Sequence, residues 1–235
     1  MRSRASRCKR PGHGWTGRNP LGCSKRQRHS SGANVRLIAG SAGGRRLAVA
    51  PGGVTRPTTD RVREALFSAI TSWAGTSDRP AEATLTGIAF CDLYAGSGAM
   101  GLEAASRGAN PVLLVEADRR IAALAVRNAR ELGLPARVRT ARVEALLRRS
   151  TQQPFDILFA DPPYDVDSSH LNKLLTTIPV GGWIKPRGLV IVERSRRSPM
   201  LTWPAVFGRT WARSYGETVV EFGAIDSLRT TEGEP

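Results

Sequence analysis

Acidic residues are scarce in this chain: 20 Asp and Glu face 35 Lys and Arg over 235 residues, and the formal charge is +15. In residues 1–33 the shortage is complete, with nine basic side chains and no acid, which leaves 26 basic against 20 acidic residues for the rest. A surplus of that sign in both parts favours an anionic partner, and nucleic acid is the commonest. Long apolar runs are missing as well. None approaches the roughly 20 residues that a membrane-spanning helix needs. The N-terminal stretch also lacks the apolar segment of a secretory signal, so a cytoplasmic protein with no membrane partner is expected. Cysteine is limited to three residues. Cys8 and Cys23 share the basic tail with His13 and His29, but without the C-x-x-C or H-x-x-x-H spacing that nucleates a zinc site, and no metal is expected. Cys91 lies inside an apolar run and reads as a small buried hydrophobe, so disulfides are not expected either.

What is present divides the chain into four stretches. Residues 1–33 carry almost no aliphatic side chains, cannot offset their ordering entropy, and are expected to be disordered. Residues 34–55 open with "NVRLIAGSAGGRRLAVAP", which reads as a β-hairpin around a Gly-rich turn, with Arg36, Arg45 and Arg46 on or near it. An isolated hairpin is marginal in water, so this one must pack on something. Residues 56–226 form the main domain, and 227–235 a C-terminal tail. The main domain begins with a helix that starts at Thr58, Thr59 and Asp60 after Pro57 and has Val62, Leu66, Ala69, Ile70 and Trp73 on one buried face. Arg56, Arg61 and Arg63 crowd its first turn against the helix dipole, which points to a bound anion or to salt bridges with Glu64.

From Gly87 the pattern alternates. Strands are predicted at 88–94, 111–116, 136–141, 155–160 and 188–194. The clearest helix is 118–132, capped by Asp118, striped by Ile121, Leu124, Ala125 and Leu132, and stopped by Gly133. Such alternation implies a parallel sheet with helices on both faces. The end differs, because "FGRTWARSYGETVVEFGAI" offers two strands about a turn at Gly216 and Glu217 and so an antiparallel finish. Seven strands ending this way is the architecture of S-adenosylmethionine methyltransferases.

Two motifs carry the chemistry. "GSGAMG", residues 96–101, matches the dinucleotide fingerprint G-x-G-x-x-G between a strand and a helix, and Glu116, 20 residues after Gly96, can accept hydrogen bonds from a ribose. That pattern alone suits a nicotinamide enzyme. Asp92, at the end of the first strand, argues for a cationic ligand, since a carboxylate facing the loop repels a pyrophosphate and attracts a sulfonium. The second motif, "FDILFADPPYD", places Asp161, Pro162, Pro163 and Tyr164 at the carboxyl end of the fourth strand, where open sheets bind ligands. The Asp161 carboxylate and the Pro162 carbonyl can both accept hydrogen bonds from an amine, and Tyr164 can stack on the flat base that bears it. No strong general base is required, so alignment and desolvation supply the catalysis. His170, in the following helix, reads as a surface residue. This pocket contains no basic residue, so an RNA substrate would have to be gripped by Arg36, Arg45, Arg46, Arg56, Arg61 and Arg63.

These motifs, together with "DLYAGSGAMGLEAASRGA" and "RLIAGSAGGRRLAVAPGGVTRPTTDRVREALF", make the chain resemble the bacterial RsmD family, which methylates N2 of a guanine in 16S ribosomal RNA. The resemblance covers roughly residues 35 to 225. It implies an α/β class I S-adenosylmethionine methyltransferase, a Rossmann-like seven-stranded sheet with an antiparallel last strand, plus a small N-terminal β-hairpin extension. It further implies S-adenosyl-L-methionine as cofactor, held by Asp92, Tyr94, Gly96, Ser97 and Gly98, with Glu116 on the ribose and Thr58 and Thr59 near the methionine end. Asp161 to Tyr164 become the catalytic segment. The implied partner is 16S ribosomal RNA or a partly assembled small subunit, acted on by a monomer. Amino-methylation of DNA adenine or of a protein glutamine, or a non-enzymatic assembly role, remain the alternatives. Two features depart from the family. "TARVEALL" puts Arg142 or Val143 where relatives have Asp or Asn near the adenine, with Glu144 as substitute, and the basic tail has no counterpart.

Asp92 and Glu116 together predict binding of S-adenosylmethionine and S-adenosylhomocysteine but not of NAD. Calorimetry with the three ligands checks this, and NAD binding without S-adenosylmethionine binding would reverse it.

Overall fold

A computed structural model of the chain describes residues 35–50, 60–163 and 165–226. One seven-stranded sheet runs β3-β2-β1-β4-β5-β7-β6. Its strands are β1 (Phe90–Leu93), β2 (Val112–Glu116), β3 (Ala136–Thr140), β4 (Phe155–Ala160), β5 (Ile184–Ser195), β6 (Arg209–Tyr215) and β7 (Thr218–Ala224). The first five are mutually parallel, and β7 inserts antiparallel between β5 and β6. The expected seven strands and closing hairpin about Gly216 and Glu217 are therefore present. All four residues of β1 are buried, as a central parallel strand covered on both faces requires.

β5 starts earlier than residue 188. Phe155 pairs with Ile184 but Ile157 pairs with Leu189, so residues between them bulge out of register. Pro186, which supplies no N–H, and Arg187 at φ 63° account for the bulge and for the late start predicted from sequence.

Among the described residues five α-helices cover the sheet: α1 (Asp60–Ala74), α2 (Ala99–Ser106), α3 (Arg119–Leu132), α4 (Val143–Leu147) and α5 (Ser168–Val180). One core joins the hairpin, α1, α2 and α3 to the sheet face bearing Phe90, Phe159 and Ile191, and the other joins α4 and α5 to the face bearing Cys91, Leu158 and Val190. Helix α3 obeys its sequence signals: Asp118 accepts from the Arg120 and Ile121 amides, and Gly133 ends the helix at φ 68°. Cys91 is fully buried.

The N-terminal hairpin is smaller than two strands. It holds one bridge, Arg36 to Arg46, with Leu47 N donating to Val35 O and Leu37 N to Arg45 O. It is stable because α2 and α3 complete its hydrogen bonding. The fully buried Glu103 carboxylate accepts from Ile38 N at 2.6 Å and Ala39 N at 3.0 Å while its other partner, Arg107 Nε, donates at 2.8 Å. The Arg107 guanidinium then lies 4.7 Å over the Phe67 ring of α1. Gly40, at φ 83°, has no space for a side chain, since a Cβ there would stand 1.9 Å from Ser106 O. Asn128 of α3 both donates to Ala48 O and accepts from Ala48 N.

Glu103→Ala leaves a buried arginine and two half-buried amides without partners, so it should destabilise the fold by about 3–5 kcal/mol. Chemical denaturation measures this, and a loss below about 1 kcal/mol would show that Glu103 does not anchor the hairpin.

Candidate cofactor and amine-binding site

The chain passes from β1 to β2 and β3 on one side and returns to β4 and β5 on the other. The crevice between the carboxyl ends of β1 and β4 is the point where the strand order reverses. Both sequence motifs meet there. Leu93 pairs with Ala160, so the residues following them, Tyr94 and Asp161, lie at the same level on adjacent strands.

On the β1 side the glycine loop is shaped by two carboxylates. Asp92 Oδ2 accepts from Gly101 N at 2.8 Å, and Glu116 accepts from Gly96 N at 2.9 Å and from Asp118 N at 2.8 Å. Gly96 and Gly98 take φ of 56° and 88°. At Gly101 a Cβ would come within 2.1 Å of Leu114, so only glycine lets α2 approach β2 this closely. Glu116 uses one lone pair of each oxygen on the backbone, which leaves it further acceptor capacity. Asn128 donates to Ser97 O at 2.9 Å and thereby ties the loop to the hairpin. Sequence reasoning missed Asn128, although a lone amide on the buried stripe of α3 was the available signal.

Asp92 corrects the sequence reading in one respect. Its side chain does not face the opening but lies beneath the loop, 2% exposed. Burial pushes its carboxyl up to about 7, with the Gly101 hydrogen bond opposing and the nearby Glu116 charge adding.

On the β4 side Asp161 is half-buried and Pro162 follows it, while Pro163 is exposed and its carbonyl accepts from Val166 N. Glu193 of β5 follows Val192, the partner of Ala160, and so neighbours Asp161. Alternation along the strands puts Asp92, Asp161 and Glu193 on one sheet face, that of Phe90, Phe159 and Ile191. Burial first, then the charges of Glu193 and Asp92, holds the Asp161 carboxyl well above the usual range. A cation brought beside Asp161 would favour its ionised form.

Tyr94 takes φ 65°, strained for a bulky residue, and its hydroxyl donates to Glu144 Oε1 at 3.2 Å. His170 Nε2 lies 3.0 Å from the same oxygen, so His170 is a partner of the loop's anchor rather than a plain surface residue. Glu144, Tyr94 and His170 thus tie α4 and α5 to the loop. Arg142 reaches Glu144 from outside at 3.6 Å.

The arginines assigned to RNA separate into two groups. Arg63 is 1% exposed, pairs with Asp60 rather than Glu64, and donates to Arg36 O, so it belongs to the interior. Arg45 donates to the Glu131 and Leu132 carbonyls at the end of α3, satisfying helix-terminal acceptors. Arg36 pairs with Asp60 at 3.1 Å. Arg46 and Arg61 are exposed. Arg56, Thr58, Thr59 and Tyr164 lie outside the described residues.

This sheet order with β7 reversed, and with the glycine loop at the β1/β4 crevice, defines a class I S-adenosylmethionine methyltransferase fold. The family model described as conserved hypothetical protein 95 matches residues 35–224, and the chain belongs to that family. The chain is 33% identical over 183 residues to ribosomal RNA small subunit methyltransferase D of Escherichia coli K12, covering 77% of this chain and 85% of the relative. The protein of the same name from Haemophilus influenzae is 30% identical over 182 residues, 76% of this chain and 88% of that one. The solved structure of Escherichia coli yhhF superposes with TM-score 0.70 at 29% identity, covering 83% of this chain and 99% of that one. The expected family is thereby borne out.

Between pH 4 and 7 native Asp92 keeps a proton that the unfolded chain has lost, so stability falls as pH rises through that window and the penalty is complete above about 7. Asp92→Asn keeps an acceptor for Gly101 and removes the titration. The loss of stability between pH 5 and 8 should shrink by on the order of 2 kcal/mol, as read from denaturation at the two pH values. An unchanged loss would show that Asp92 is ionised throughout.

Proposed function

We propose that this protein transfers a methyl group from S-adenosyl-L-methionine to the exocyclic N2 amine of a guanine in small-subunit ribosomal RNA. The observation that carries the reading is Asp161, set at the strand end beside the glycine loop within a row of carboxylates. Membership of the family and relatives named ribosomal RNA small subunit methyltransferase D support the substrate class.

Glu116 would hold the cofactor ribose, the backbone of Gly96, Ser97 and Gly98 would border it, and Thr58 and Thr59 would approach its methionine end. The cofactor supplies an electrophilic methyl on a sulfonium. Asp161 and the Pro162 carbonyl accept hydrogen bonds from the guanine amine and aim its nitrogen along the line of attack, and Tyr164 keeps the base in plane. This is catalysis by alignment. The methylated nitrogen then carries one surplus proton. Asp161, with its raised proton affinity, takes that proton and releases it to water. A cationic ligand beside Asp161 favours its ionised form, so Asp161 meets the amine as an acceptor. The target guanine must leave its stack to enter.

Asp161→Ala and Tyr164→Ala should each lower turnover by roughly a hundredfold, about 3 kcal/mol, with cofactor affinity nearly intact. Transfer of labelled methyl to 16S ribosomal RNA, to DNA and to protein, with mapping of the product, tests both substrate and residues. Turnover within a fewfold of the unaltered protein in both variants would remove these residues from the reaction, and methyl transfer to DNA or protein alone would replace the substrate.

A further inference from the structure

Arg45 and Arg63 are bound to the protein itself, so the grip on a polyanion cannot rest on them. The carboxyl ends of β5 and β6 carry other candidates. Residues 194–217 contain five arginines and one acid, Glu217. Two of the five are engaged by the fold. Arg194 is buried and donates to Ser168 Oγ at 3.0 Å and to Pro199 O at 2.7 Å. Arg209, at the start of β6, lies 5.0 Å over the Trp211 ring. Arg196, Arg197 and Arg213 are exposed. Arg197 approaches Glu217 at 3.8 Å with both side chains largely in solvent, and Arg196 and Arg213 have no carboxylate partner among the described residues.

Strand pairing places these three at the side of the crevice that holds Asp161. β5 lies next to β4 and parallel to it, so Arg196 and Arg197 leave the sheet at the same edge as the D-P-P-Y segment, on the neighbouring strand. Arg196 N donates to Glu217 O at 2.8 Å, which seats them on the turn of the closing hairpin. Ala160 pairs with Val192, Glu193 with Val220, and Val220 with Arg213. Asp161, Glu193, Val220 and Arg213 therefore form one row across the sheet, and alternation puts Arg213 on the face of Trp211 and Val220, which is also that of Asp161. Three strand spacings, about 14 Å, separate the ends of the row. Protection of an edge strand from pairing accounts for charge on β6 but not for Arg196 and Arg197, which follow an interior strand. Side by side in sequence, those two repel each other, and a bound anion relieves the repulsion.

We infer that Arg196, Arg197 and Arg213 form a phosphate-binding rim that holds the RNA backbone beside the target guanine. The inference rests on the RNA reading above and goes beyond it by assigning a docking surface. When a base is flipped into the crevice its flanking phosphates stay at the mouth, and the D-P-P-Y segment offers them no cation. The rim recognises backbone charge and contributes affinity without sequence information, whereas the base is met at Asp161.

The test uses the full chain with Arg196→Gln, Arg197→Gln and Arg213→Gln combined, and also the Arg196/Arg197 pair and Arg213→Gln separately. Arg148→Gln with Arg149→Gln serves as a control of similar charge loss. Those two are exposed at the amino end of the sheet, where Trp183 Nε1 donates to Arg149 O at 2.8 Å and Trp183 O accepts from Phe155 N at the start of β4. Thermal melting and S-adenosylmethionine calorimetry report whether each variant is folded with its crevice intact. Binding to unmethylated 16S ribosomal RNA is then measured across salt concentrations. In the combined variant Kd should rise at least about tenfold, and the slope of log affinity against log salt should fall by about two units. The pair should give the larger part of both changes and Arg213→Gln the remainder. The control should keep Kd and methylation within about twofold, since its charges lie at the far end of the sheet. Unchanged Kd and salt slope in the combined variant, with the unaltered protein methylating RNA, would overturn the rim alone. An equal loss in the control would overturn it too, by showing that only net charge matters. If the unaltered protein neither binds nor methylates RNA, the substrate reading falls and the rim falls with it.

Discussion

One buried hydrogen bond, from the Gly101 amide to the Asp92 carboxylate, stands where the first strand passes its chain to α2, and the crevice takes its form from it. The bond draws the start of α2 down onto β1 and β2. The contact is so close that a side chain at Gly101 would have to displace Leu114. With α2 seated there, the loop from Tyr94 to Gly98 must turn back through left-handed backbone at Tyr94, Gly96 and Gly98. A carboxylate in such a place is costly unless protonated or faced by a cation, which explains its raised proton affinity.

From that junction two further polar anchors spread outward. Glu103 and Ser106, on the far end of α2, receive the N-terminal hairpin, and Ser106 Oγ both accepts from Ala42 N and donates to Ala39 O. Asn128 joins the same hairpin to Ser97 of the loop. A hairpin of a single bridge thus becomes a fixed wall beside the glycine loop. On the other sheet face Glu144 performs the equivalent task, holding Tyr94 and His170 together. The site is therefore supported from both faces by carboxylate and amide groups whose hydrogen bonds cross between elements far apart in sequence, with Ile38 and Glu103 separated by 65 positions.

Much of this was legible in advance. The order of strands and helices followed from hydrophobic alternation, the ends of α3 from Asp118 and Gly133, and the closing hairpin from Gly216. These are local signals, each read within one or two turns of chain. The start of β5 was not legible, because Pro186 marks a strand end in isolation and becomes tolerable only where a bulge removes it from the ladder. The roles of the arginines were not legible either. Arg45, Arg46, Arg61 and Arg63 look alike in sequence, yet Arg63 is buried on Asp60 and a backbone carbonyl, Arg45 is exposed but bound to two carbonyls, and Arg46 and Arg61 are exposed.

The sequence by itself determined the fold class, the family and the positions of the glycine loop and the D-P-P-Y segment, because each depends on residue types at short spacing. Tertiary structure alone decided which charges face inward. Asp92 lies under the loop rather than in its mouth, Glu193 stands beside Asp161, and Arg63 is buried against Asp60 while Arg46 and Arg61 are exposed. Burial and proximity across strands set the energy of a charge, and neither is written in the spacing of neighbours along the chain.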